Sequence, residues 1–189
     1  MRVVAGEAKG RRLVSPPASV TRAATDRVRQ SLFGILEPLL DGARVLDLFA
    51  GAGTLGIEAL SRGAAHATFV ERDPAALRAL RANVASTGMA DRARVASRAV
   101  SAFLGSSDAG GPYDLVLCDP PFADVAGLSA TLAHPGLREA LGSEAVVVAR
   151  VLRKHPPEIP AHARIERDKR IGEESLLFLR YDADRRPVA

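Results

Sequence analysis

The chain has one cysteine, no tryptophan and only three lysines among its 26 basic residues. A single cysteine excludes an intrachain disulfide and fits a reducing compartment. No apolar run approaches the ~18 residues that a membrane-spanning helix needs. The opening MRVVAGEAKG carries Glu7 and Lys9 where a signal peptide requires a long apolar stretch. These absences lead to the expectation of a soluble cytoplasmic protein. The pattern G-x-x-x-x-G-K-[ST] is missing, which excludes a P-loop. His66, His134, His155 and His162 are scattered without metal-ligand spacing, so neither a metal site nor a catalytic histidine is expected.

What is present is a chain of one-domain length, 189 residues, with 47% hydrophobic composition for a sizeable core. Its charge is unevenly placed. Residues 1–29 hold seven basic side chains and two acids, an excess of five, whereas the whole chain is +4, which leaves the remainder at −1. A localised arginine-rich segment suggests a polyanion partner such as nucleic acid.

The first 40 residues read as a small appendage. MRVVAG and RRLVSP are short extended runs around the turn-like EAKG, and Pro16-Pro17 ends the second. Thr25 or Asp26 can cap a helix in which Val28, Leu32, Ile35, Leu36 and Leu39 recur at helical spacing. We therefore divide the chain into a β-hairpin and helix extension at 1–40 and a larger domain at 41–189. From Arg44 the pattern is strand, helix, strand, helix. RVLDLFA, ATFVE, ARVAS, YDLVLCD and EAVVVARVL are strand-like, and TLGIEALSRG and DPAALRALRANVASTG are helical. Near-continuous apolar strands alternating with helices predict a parallel sheet covered on both faces. ARIERDKR and ESLLFLRY, with no helix between them, predict a final antiparallel hairpin. The fold class is thus α/β, Rossmann-like and mostly parallel.

Two segments carry chemistry. LDLFAGAGTLGIEA places Gly51, Gly53 and Gly56 between a strand and a helix, which is G-x-G-x-x-G. Glycines allow a tight turn and close approach to a ligand. Glu71 follows at the end of the next strand, where a carboxylate can accept ribose hydroxyls. Together they indicate an adenosine-containing ligand. Asp47, just before the loop, favours S-adenosylmethionine over NAD: an acid suits a cationic methionine end, whereas a pyrophosphate gains nothing from a nearby negative charge. The second segment is LVLCDPPFAD. Its prolines stiffen a strand end and leave carbonyls free to accept. Asp119 and the Pro120 carbonyl can accept the two N–H bonds of a planar exocyclic amine, and Phe122 can stack on the base. Cys118 reads as a core residue rather than a nucleophile.

With these residues in view, the chain resembles the amino-methyltransferases of the class I S-adenosylmethionine-dependent fold. GEAKGRRL, TRAATDRVRQSLFGIL, LDLFAGAGTLGIEALSRGA, VERD, DPPF and KRIGEESLLFL occur in the order seen in bacterial 16S ribosomal RNA guanine-N2-methyltransferases. The resemblance implies methylation of a guanine N2 amine in 16S ribosomal RNA of the small (30S) subunit, using S-adenosylmethionine; a monomer is the default expectation. It implies cofactor contacts from Asp47, Phe49, Gly51 and Gly53, and from Thr54, Glu71, Arg72 and Ala99. Asp119, Pro120 and Phe122 would hold the target base. Lys9, Arg11, Arg12, Arg22, Arg27 and Arg29 would face RNA phosphates. There are departures. Ala99 stands where many relatives have an acid or amide, Ala23 stands where they have a proline, and the fifth strand reads VVVARVL where many end in a glutamate. Three other readings compete: an adenine-N6 DNA or RNA methyltransferase, an NAD-linked oxidoreductase and a non-catalytic RNA chaperone.

Overall fold

In a computed structural model, which describes residues 1–16 and 25–182, seven strands form one sheet in the order β3-β2-β1-β4-β5-β7-β6. They are β1 (Arg44–Leu48), β2 (His66–Glu71), β3 (Ala93–Ser97), β4 (Tyr113–Cys118), β5 (Leu141–Leu152), β6 (Ala163–Ile171) and β7 (Glu174–Tyr181). The first five run parallel, and β7 pairs antiparallel with both β5 and β6. The mostly parallel α/β sheet and the antiparallel C-terminal hairpin are as the patterning predicts. β1 and β4 are buried almost throughout, because helices cover both faces.

Successive residues of one strand feed opposite cores. Leu115 and Leu117 join a cluster with α1 (Asp26–Leu36), α2 (Thr54–Ser61) and α3 (Pro74–Thr87). Val116 and Cys118 join a second cluster with α4 (Val100–Leu104), α5 (Val125–Leu132) and α6 (Pro135–Ala140). The last three helices have five, eight and six residues, too short for helical periodicity to announce them. α3 is bounded by its own sequence signals. The Asp73 carboxylate accepts the Ala75 and Ala76 N–H groups, Pro74 opens the helix, and Gly88 ends it at φ +76°. Thr25, not Asp26, caps α1 by accepting the Val28 N–H.

The expected hairpin at the N-terminus is reduced to one antiparallel bridge, Arg2 to Arg12. Val3 exchanges backbone bonds with Gly10 and Arg11, and Leu13 donates to the Met1 carbonyl, but the amides that follow Val3 turn to α2. Glu58 accepts the Val4 and Ala5 N–H groups at 2.8 and 2.9 Å. Ser61 Oγ accepts the Ala8 N–H and donates to the Ala5 carbonyl. Val3, Ala8 and Leu13 pack into the same core as α1 and the sheet. The boundary at 40/41 therefore marks a change of sequence character and not of core.

Arg29 corrects an expectation. Placed among the phosphate-facing arginines by its sequence neighbours, it is 1% exposed. It donates to the Asp26 carboxylate at 2.6 Å and to the Arg2 carbonyl at 2.8 Å, 3.8 Å from Glu58. Its place on the inner face of α1 makes it a strut between the N-terminal segment and α2. Glu58, also fully buried, is held by Arg62 at 2.9 Å as well. Glu58→Ala leaves Arg29 buried without its nearest carboxylate on α2, and should cost about 3–5 kcal/mol. Thermal unfolding measures the loss, and hydrogen exchange should show early deprotection of the Val4 and Ala5 amides.

Candidate active site

The sheet reverses its winding between β1 and β4, and open α/β sheets bind ligands outside the carboxyl strand ends at such a point. A cavity of about 910 Å³ lies there. Its wall includes Asp47, Phe49, Gly51, Thr54, Glu71, Arg72 and Ala99, and also Asp119, Pro120 and Phe122. The two segments read from the sequence thus meet in one space. Gly53 does not line it. A Cβ on Gly53 would lie 2.3 Å from Leu80 Cδ1, so this glycine faces the core. Its φ of +79° at the start of α2 makes it a turn residue. Gly56 lets α2 sit against β2, because a Cβ there would lie 2.3 Å from the Phe69 ring. Phe49 is the one non-glycine residue at positive φ, +62°, among the described residues, a backbone strain placed at the cavity wall.

Three carboxylates stand at neighbouring strand ends, each with a different partner. Asp47 accepts the Gly56 N–H at 2.9 Å. Burial pushes its carboxyl up to about 8; the Gly56 hydrogen bond opposes this, and Asp119 and Glu71 add to it. Glu71 is held by backbone alone: Oε2 accepts from Gly51, and Oε1 accepts from Arg72 and Asp73, at 2.7–2.8 Å. Asp119 accepts from Arg150 at 2.7 Å through Oδ1. Burial raises its carboxyl, and the Arg150 guanidinium holds it back. The Pro121 carbonyl accepts the Asp124 N–H at 2.8 Å. The Pro120 carbonyl accepts no protein donor among the described residues, and Pro120 lines the cavity.

Arg150 is the residue that sequence reasoning passed over, read only as part of the run VVVARVL. Its signal is a single arginine inside VVVARVL, in a strand buried from Ala145 to Val151. It bonds Glu174 through Nε and Nη2 at 2.8 and 3.3 Å, and its guanidinium carbon lies 4.5 Å from the Phe122 ring centre. Cys118 is buried, and burial raises its thiol far above the ordinary range, so no thiolate is available. No cluster of metal-binding side chains occurs among the described residues.

The donor set fits S-adenosylmethionine better than a dinucleotide. The start of α2, where a pyrophosphate would sit, already carries the Asp47 carboxylate on its Gly56 amide. Glu71 points its carboxylate at the glycine loop, where ribose hydroxyls can be accepted on its remaining lone pairs. Ala99 brings no side-chain acceptor to the far end, where Arg98, Val100, Ser101 and Leu104 complete the wall.

Of the residues expected at RNA, Lys9, Arg12 and Arg27 are exposed and pair with no acid among the described residues. Arg11 is exposed and donates to the Ser86 carbonyl at 3.0 Å. Arg22 lies outside the described residues.

Comparison with known proteins agrees with this geometry. The family described as "Conserved hypothetical protein 95" matches residues 1–180. The ribosomal RNA small subunit methyltransferase D of Escherichia coli is 38% identical over 174 residues, 92% of this chain and 86% of that protein. A putative rRNA methyltransferase, YlbH of Bacillus subtilis, is 41% identical over 128 residues, 66% of this chain and 68% of the relative. The solved structure of the putative methyltransferase yhhF from Escherichia coli superimposes with a TM-score of 0.84 at 35% identity, covering 97% of this chain and 99% of that one.

The buried Asp47 has a measurable signature. Its folded value, about 8, lies above its ordinary 3.8, so the folded state binds the extra proton. The stability it contributes is complete below about pH 4 and is lost as pH rises through 8. Asp47→Asn keeps an acceptor for Gly56 and removes the titration. We expect a higher melting temperature than wild type at pH 8 and a flatter profile between pH 4 and 8, read by calorimetry.

Proposed function

Because the chain belongs to the family described as conserved hypothetical protein 95, which includes ribosomal RNA small subunit methyltransferase D, we propose that it methylates the exocyclic N2 amine of a guanine in 16S ribosomal RNA of the small (30S) subunit. The observation that carries this reading is that Asp119, Pro120 and Phe122 line the same cavity as Glu71 and Asp47, with Asp119 engaged by Arg150 through Oδ1 alone among the described residues; Oδ2 and the Pro120 carbonyl would be the two acceptors.

S-adenosylmethionine, the cofactor of this methyltransferase fold, supplies an electrophilic methyl group on a sulfonium. Glu71 would hold its ribose, and Asp47 its cationic methionine end. The chain's own work is on the amine. A guanine amine is a poor nucleophile, because its lone pair is conjugated with the ring. Two acceptors on its N–H bonds fix the nitrogen's direction and favour the positive charge that develops as the N–C bond forms. Asp119 acts here as an acceptor that aims the amine. The methylated nitrogen, positively charged once its new bond has formed, then gives one proton to solvent water, and no covalent enzyme intermediate is required. Phe122 supplies the stacking surface for a base turned out of its helix.

RNA would be held by the arginine-rich start. Arg27 is exposed on α1, whose Val28 and Leu32 line a small cavity together with Asp119 and Arg150. A phosphate contact at Arg27 therefore lies on an element that abuts the catalytic acid.

Labelled S-adenosylmethionine with unmodified 30S subunits, naked 16S RNA and duplex DNA, followed by nucleoside mass spectrometry, tests the reading. N2-methylguanosine from the ribosomal substrate is expected, and N6-methyladenosine as the sole product would overturn it. Asp119→Ala should lower kcat by about 10²-fold or more with S-adenosylhomocysteine affinity kept. Arg12→Glu with Arg27→Glu should weaken subunit binding and leave that affinity unchanged, as followed by filter binding and calorimetry.

A further inference from the structure

An arginine in the middle of a buried strand needs a physical reason. Arg150 follows Val148 and Ala149 and precedes Val151, all buried, and is itself 5% exposed. A buried cation loses more solvation than a structural ion pair usually returns, and an apolar side chain would serve the strand as well. The compensation comes from two sources. One is Glu174. In the β5–β7 register Arg150 faces Leu176 and Leu152 faces Glu174, so Glu174 is the diagonal neighbour two residues away, within reach of a long side chain. It takes both Nε and Nη2, which fixes the plane of the guanidinium. The other source is the site. With two nitrogens committed to Glu174, Nη1 reaches Asp119 Oδ1 at 2.7 Å, and the guanidinium carbon lies over the Phe122 ring at 4.5 Å from its centre.

We infer that Arg150 positions the target base: anchored by Glu174, it engages Oδ1 of Asp119 so that Oδ2 is left for the amine, and it backs one face of Phe122 so that the base stacks on the other. This assignment rests on the transfer to a planar amine proposed above. Arg150 reaches the reaction through Asp119 and Phe122 and is a positioning residue. It also sets the charge around the acid. Asp119 faces Arg150 on β5, Glu174 on β7 and Asp47 on β1, while α1 and α2 present only Val28, Leu32 and Leu55 to the small cavity beneath it. Of these, Arg150 favours the carboxylate and Glu174 opposes it.

The two partners of Asp119 therefore predict opposite effects, which a merely structural ion pair would not. Removing the cation in Arg150→Met should move the acidic limb of the kcat–pH profile upward, by about one pH unit or more. Removing the opposing charge in Glu174→Gln should move it downward. Arg150→Lys should keep the limb near its wild-type place and raise KM for the subunit, because an ammonium has no plane to set behind the ring. S-adenosylhomocysteine affinity, read by calorimetry, should stay at the wild-type level in all three. Limbs that stay in place, or that move together, would overturn the assignment, as would cofactor affinity lost in parallel with turnover. A limb set by Asp47 would stay in place, because Asp47 responds to Asp119 and Glu71 and to neither partner. Should Arg150→Met fail to fold, Glu174→Gln decides alone: a downward limb supports the assignment and any other overturns it. Carbon-13 titration of the Asp119 carboxyl in substrate-free protein reads the same opposite shifts without turnover. Failure of the wild-type protein to methylate guanine then counts against the proposed function, and failure of those shifts counts against Arg150.

Discussion

Three carboxylates enter one cavity from the ends of adjacent strands, and the surrounding structure is arranged around keeping them there. Asp47, Glu71 and Asp119 sit on or just beyond β1, β2 and β4, three adjacent strands with the switch point between β1 and β4. Like charges at such spacing repel, and burial makes each more costly. Each carboxylate is stabilised by a different part of the fold. The start of α2 supplies one amide to Asp47, the glycine loop and the turn after β2 supply three to Glu71, and β5 supplies a guanidinium to Asp119. The weakest provision falls to Asp47, which is also the group pushed up to about 8. A site for a cationic ligand benefits from that shortfall, because bringing in a positive charge supplies what the fold withholds.

The N-terminal segment obeys a similar economy on the other side of α2. The Val4, Ala5 and Ala8 amides find no partner across its two arms, so the Glu58 and Ser61 side chains satisfy them. That choice places a buried carboxylate in the core face of α2, and Arg29 and Arg62 flank it. Spending Arg29 inside leaves Arg2, Lys9, Arg11, Arg12 and Arg27 as the outward cations among the described residues. The basic excess of the first 29 residues is therefore larger in composition than on the described surface.

Much of this was legible in the sequence, for identifiable reasons. The strands of the parallel region are nearly all apolar, so their number and order of appearance could be read directly. The glycine loop, Glu71 and the DPPF segment each lie at a strand end, where chain direction alone puts them on one edge of the sheet. What stayed hidden depends on contacts between distant residues. Arg29 sits among arginines that do face outward, and only the orientation of α1 separates it from them. Gly53 shares a motif with Gly51, yet one faces the core and the other the cavity. α4, α5 and α6 are too short for periodicity, and their burial comes from packing on strands that other segments supply.

Arg150 shows most clearly where local reading stops. Taken alone, VVVARVL reads as a strand with a misplaced charge. Its meaning requires Glu174, 24 residues onward, and Asp119, 31 residues back. Both are delivered by topology, one by the antiparallel turn of β7 against β5 and the other by the parallel pairing of β4 with β5. A parallel final strand would present its end, and not its start, to this position. The hairpin that breaks the parallel rule of the sheet is therefore what brings a second carboxylate to the guanidinium. The sign of the charge on β5 and the antiparallel direction of β7 form one arrangement, and a glutamate at 150 would set three acids together with no cation between them.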